Sequence, residues 1–163
     1  MREYTVSGKG ITITNAACTL VFINPGATRV IEVTGAWCSQ FGSTTSAQIG
    51  IEIGTKVTAF PTLTSATPAK TKSSDAISAI TGGTAGAAGT SGINASAEGA
   101  GAITTIWPDS FNNLTPWIWN PMTTLGQTLI ISGADAAGVY LKLQAAPASL
   151  ASWNFGITFR EIG

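Results

Sequence analysis

The stretch Trp153–Arg160 constrains the fold most. Trp153, Phe155, Ile157 and Phe159 alternate with Asn154, Gly156, Thr158 and Arg160. A period of two puts the bulky apolar side chains on one face of an extended chain and the polar ones on the other, the pattern of a half-buried strand. The same period returns where Ile49, Ile51 and Ile53 alternate with Gln48, Gly50 and Glu52, and where Val139, Leu141 and Leu143 alternate with Tyr140, Lys142 and Gln144. Weaker runs lie at Ile11–Thr14, Cys18–Ile23, Val30–Cys38, Ile103–Trp107 and Thr128–Ser132. Asn24-Pro25-Gly26 and Ser132-Gly133-Ala134-Asp135 supply turn chemistry between runs. No long stretch combines helical periodicity with caps, and only Asp75–Ile80 suits a single short helical turn. The expected fold is all-β: an antiparallel β-sandwich of about eight or nine short strands, with a jelly roll the leading architecture.

The chain has 163 residues, the length of one domain. A chain of that size removes roughly 68–70% of its unfolded surface from water, enough for a core without metals or disulfides. One stretch breaks the strand pattern. Residues from about 61 to 102 read as a long insertion: Pro61–Lys72 is rich in Thr, Ser and Pro, and Thr81–Ala102 is almost wholly Gly, Ala, Ser and Thr. Small side chains bury too little apolar surface to offset the entropy of ordering them. The insertion is therefore expected either as a mobile surface loop or as a segment ordered against a neighbouring subunit.

Charge narrows the function classes. Only 10% of residues are charged, and eight basic residues balance eight acidic ones, against about 25% charged in an average domain. A field that weak attracts neither nucleic acid nor an anionic membrane. Apolar runs such as Leu20–Ile23 and Leu129–Ile131 are far shorter than the roughly 20 residues of a spanning helix. Met1-Arg2-Glu3-Tyr4 opens without an apolar signal region, so synthesis and folding in a cytoplasm are expected. A neutral surface risks association, and association as the function is one resolution. Cys18 and Cys38 read as free, buried thiols in that compartment, with a disulfide as the alternative.

Catalytic chemistry has few carriers. The chain contains no histidine, which removes Ser-His-Asp and Cys-His nucleophiles and histidine metal sites. Glu32 and Glu52 fall on strand faces opposite the apolar residues; they read as solvated carboxylates, or as a pair if the strands are neighbours. Gly82-Gly83 and Gly86–Gly89 lack the Gly-Lys-Ser/Thr and the helix that a phosphate loop requires. Asn94-Ala95-Ser96 and Asn113-Leu114-Thr115 match the glycosylation sequon, without meaning in an unsecreted chain. No Asp-rich calcium loop is visible. The expectation is a non-enzyme with no cofactor and no metal. Candidate interaction residues are the aromatics Trp107, Phe111, Trp117 and Trp119 among Pro108, Pro116 and Pro121. They read either as a rigid interface ledge or as rings capping one end of the core.

Several segments together resemble small virion proteins of tailed bacteriophages, in particular head decoration (cement) proteins. They are the N-terminal Arg2-Glu3-Tyr4, the strand Val30–Gln40 ending Trp-Cys-Ser-Gln, and Thr44-Thr45-Ser46-Ala47-Gln48 leading into Ile49–Ile53. Trp107-Pro108 and the closing Ile157-Thr158-Phe159-Arg160-Glu161-Ile162-Gly163 complete the likeness. It spans most of the chain, rests on pattern and carries over no functional residue. It implies a β-rich, non-enzymatic minor structural protein of the virion, a homotrimer bound to the major capsid protein. The competing expectation is a phage tail or fibre module, a carbohydrate- or receptor-binding jelly roll stacking its ligand on Trp107, Trp117 and Trp119.

Overall fold

Alternating β-branched and aromatic residues extend the chain, and the strands pair into two sheets stacked face to face. The computed structural model describes residues 2–14, 17–121 and 128–162. The strands are β1 (Arg2–Ile11), β2 (Thr19–Asn24), β3 (Val30–Gln40), β4 (Gln48–Val57), β5 (Thr62–Ser65), β6 (Ala69–Lys70) and β7 (Thr81–Gly82). They continue with β8 (Thr90–Ala97), β9 (Ala102–Asn112), β10 (Trp117–Trp119), β11 (Leu129–Ser132), β12 (Ala137–Leu143) and β13 (Trp153–Glu161). The first sheet runs β10-β3-β13-β1-β6, with β11 also on β3 beyond β10. The second runs β5-β8-β2-β12-β4-β9, with β7 beside β8. Every pairing is antiparallel except β7 with β8.

The core lies between the sheets. Tyr4, Val6, Val33, Phe155, Ile157 and Phe159 from one side meet Val21, Ile23, Ile51, Ile53, Val139 and Leu141 from the other, all fully buried. The alternation at Trp153–Arg160 therefore has the meaning expected of it: its odd positions face the second sheet.

Asp75–Ile80 is not helical. It is an irregular segment of bends, held because the Tyr4 hydroxyl donates to the Ala76 carbonyl (3.0 Å) and the Ser78 hydroxyl to Glu161 Oε1 (2.6 Å). Those bonds, with burial of Ile80 in the core, outweigh the weak helical preference of so short a stretch.

The Gly/Ala/Ser/Thr-rich region also departs from expectation. Residues 58–101 do lie between two neighbouring strands, because β4 pairs directly with β9. They are ordered against their own chain. β8 sits inside the sheet between β5 and β2, and Phe60, Leu63 and Ala95 cover the outward side chains of Phe22 and Tyr140 as a second small core. Small residues make this cover possible: the Phe22 ring occupies the space that a Cβ on Gly138 would need. β2 is consequently buried along its whole length, at every residue.

Glu98 fastens this cover. Its Oε1 accepts from the backbone N–H groups of Cys18 (2.6 Å) and Thr19 (2.9 Å), its Oε2 accepts from the Thr19 hydroxyl (2.6 Å), and Lys142 Nζ lies 3.5 Å away. Burial alone would raise its pKa. The Thr19 hydroxyl, the Lys142 ammonium and the two N–H groups outweigh burial and hold the carboxyl below its ordinary value.

Candidate functional site

The four aromatics singled out in the sequence come together, but inside the protein. Phe111, Trp117 and Trp119 are buried, and half-buried Trp107 packs on the same core. Trp107 and Trp119 meet edge to face at 5.6 Å between ring centroids, and Phe111 meets Trp153 at 6.5 Å. Trp117 Nε1 donates to Asp109 Oδ2 at 2.9 Å. A stacking platform needs ring faces open to solvent; Phe111, Trp117 and Trp119 have none to spare, and half-buried Trp107 is packed edge to face on Trp119. Phe111, Trp117 and Trp119 thus cap one end of the core with Trp107 packed at its margin, and the three buried rings form no exposed ledge. The shared face of Trp117 and Trp119 is the inward one.

The carboxylates are dispersed. Glu32 pairs across to Arg160 on the outer face of the first sheet, and Glu52 lies on the outer face of the second. The sandwich stands between them, so they cannot flank one bond as a glycosidase pair must. Glu52 Oε1 instead accepts from the Tyr140 hydroxyl (3.1 Å), whose pKa is pushed up to about 12 by burial and by that carboxylate. Among the described residues no three His, Cys, Asp or Glu side chains group as metal ligands.

Both cysteines are free; Cys38 is buried and Cys18 half-buried. Burial pushes both thiols upward, Cys18 with help from Glu98, so neither is a ready nucleophile. The asparagines of the two sequons are structural. Asn113 is buried and donates to Gln40 Oε1 (3.0 Å), Ser43 Oγ (3.2 Å) and the Thr45 carbonyl (3.1 Å). Asn94, at φ 51°, donates to the Thr12 carbonyl at 3.1 Å.

Two surface features remain, and neither was singled out in the sequence. One is the free side of β9. The other is a concavity of about 420 Å³ on the outer face of the first sheet, where Trp37, Ile118, Asn120 and Arg160 converge. The chain matches no protein-family model, no curated protein and no solved structure.

The β9 edge runs Ala102–Asn112, pairs only with β4 among the described residues, and is exposed along most of its length. Ile103 and Ile106 are 48% and 39% exposed, and Asp109 is the one charge in the strand. A bulge at Ile106 and the following Pro108 blunt the second half of the strand. Ala102–Thr105 has neither device.

Proposed function

We propose that this chain is a non-enzymatic assembly protein that docks on a larger protein shell: a head decoration (cement) protein of a tailed bacteriophage, bound to the major capsid protein as a homotrimer. The observation that carries the reading is the β9 edge. Long, neutral edge strands invite pairing, and natural sheets guard against it with lysines, prolines or bulges. The half of β9 carrying Ile103 has none of these. A strand left open in this way suits a protein whose working state is an assembly, with virion location and cytoplasmic synthesis following from that role. Engagement of Glu98, Glu52 and Asp109 in internal hydrogen bonds supports the absence of catalysis.

We read the sandwich more finely as a jelly roll. Setting β5–β8 aside, and counting β10 and β11 as one broken strand, eight strands remain. They fall in the order first-last-third-sixth in one sheet and second-seventh-fourth-fifth in the other, which is the interleaving of two Greek keys. Residues 58–101 are then an insertion between the fourth and fifth strands.

Light scattering of the pure protein should give three times the chain mass. Undecorated heads should bind it equally at low and at about 1 M salt, because contacts without ion pairs are not screened. Paired Ile103→Lys and Ile106→Lys substitutions should change stability by less than about 0.5 kcal/mol, as exposed positions do, yet abolish trimerisation or head binding. A wild-type monomer that ignores such particles overturns the proposal.

A further inference from the structure

The outer face of the first sheet has the make-up of a binding site. Cross-strand register sets Ile118, Trp37 and Gly156 in one row, and Glu32, Arg160 and Glu3 in another. Gly35 and Thr158 pair between the two rows. Gly156 has no side chain, and the Trp37 indole lies across it where a Cβ would collide with the ring. One ring face is thereby held flat on the sheet while Trp37 stays half-exposed. Ile118 beside it is 66% exposed. Gly35 forms the floor between this apolar wall and a polar one, with Asn120 Oδ1 3.3 Å from where a Cβ would stand.

The polar wall is held in place before any ligand arrives. Arg160 Nε lies 3.3 Å from Glu3 Oε1, its Nη1 lies 3.9 Å from Glu32 Oε2, and the Thr34 hydroxyl donates to Glu3 Oε1 at 3.0 Å. Fixed side chains lose little further entropy on binding. Asn120 adds an exposed amide at the rim, able to donate and accept. The volume, about 420 Å³, falls within the range of about 300–1,000 Å³ typical of small-molecule sites.

We propose that this concavity is a glycan-binding site for a neutral hexopyranose unit, stacked on Trp37 and hydrogen-bonded by Arg160, Glu3 and Asn120. A pyranose ring presents an apolar C–H face that matches a flat indole, and ring hydroxyls that match paired planar donors and acceptors. Charge selects among sugars. One guanidinium against the carboxylates Glu3 and Glu32 leaves the wall net negative, which disfavours sialylated, sulfated and phosphorylated glycans. The site lies on a different sheet from β9 and stands independently of the decoration reading; on a virion surface it would tether the particle to glycans.

The test is a printed array carrying neutral and anionic glycans, followed by calorimetric titration with the neutral oligosaccharide that binds best. Wild-type protein should bind neutral hexose glycans above their anionic derivatives. Trp37→Ala should weaken binding by at least about ten-fold, Trp37→Phe should retain part of it, and Gly35→Val, which fills the floor, should weaken it with Trp37 intact. All three variants should keep a cooperative thermal transition, with any loss of midpoint smaller than that of Phe22→Ala, and should keep head binding. An array with no neutral glycan bound overturns the proposal, as does wild-type affinity in Trp37→Ala. So does a Trp37→Ala protein that changes oligomeric state with glycan binding unaltered, which would make the face an interface between chains.

Discussion

The outer faces of the two sheets follow different rules. On the first sheet, outward residues of β3 and β13 such as Glu32, Trp37, Thr158 and Arg160 meet solvent or one another. On the second, the outward residues Phe22 and Tyr140 are buried beneath residues 58–101 of the same chain. Strand alternation therefore means inside against outside in one sheet and core against second core in the other. An outward aromatic on the bare sheet is available for recognition, whereas one on the covered sheet is part of the stability of the fold.

The largest expected effect is on the covered side. Deleting Gly83–Gly99 removes β8 and the Glu98 clasp, so the protein should lose its cooperative thermal transition altogether. A folded deletion product would show that the cover is dispensable and the two faces equivalent.

Phe22→Ala comes next. It empties a fully buried aromatic site and should destabilise by about 3–5 kcal/mol. Trp37→Ala on the bare sheet should cost well under half of that, since the ring packs on one face only. Matched denaturant titrations measure the contrast; equal losses would erase it.

Glu98→Gln should cost about 1 kcal/mol at neutral pH, the penalty for weakening a half-buried charged acceptor. The folded-state pKa lies below the ordinary value of 4.5, so this stabilisation is present above that value and lost as pH falls through the folded pKa. Thermal melts between about pH 7 and pH 3 should show the wild type losing its advantage over Glu98→Gln in acid. A constant difference across that range would contradict the clasp.

The smallest effect concerns the thiols. Cys38 should be silent to Ellman reagent in the native protein and Cys18 slow, with both reacting in denaturant without reductant. Rapid native reaction of Cys18 would mean that the cover opens often at the start of β2.

Legibility in the sequence followed the same division. β3, β4, β12 and β13 could be read because large apolar side chains marked one face of each. β8 could not, because Thr90, Ser91, Gly92, Ala95, Ser96 and Ala97 carry too little apolar surface to announce a strand. The aromatic cluster was legible as a cluster, but its burial was not. Trp117 and Trp119 show a shared face; which way that face points depends on β10 pairing with β3. Trp37 read as one more residue of a strand, because Gly156, over which it lies, is 119 positions away.

The sequence by itself determined the strand class, the poverty of charge and the lack of histidine chemistry, since these follow from side-chain identity and near-neighbour period. Tertiary structure alone decided which strands are neighbours. That placed Glu32 and Glu52 on opposite outer faces, set Glu98 against the start of β2, and left Trp37 and the β9 edge as the surfaces open to a partner. Pairing over long separations answers to packing and backbone hydrogen bonds summed over the whole sandwich, and no local window contains that sum.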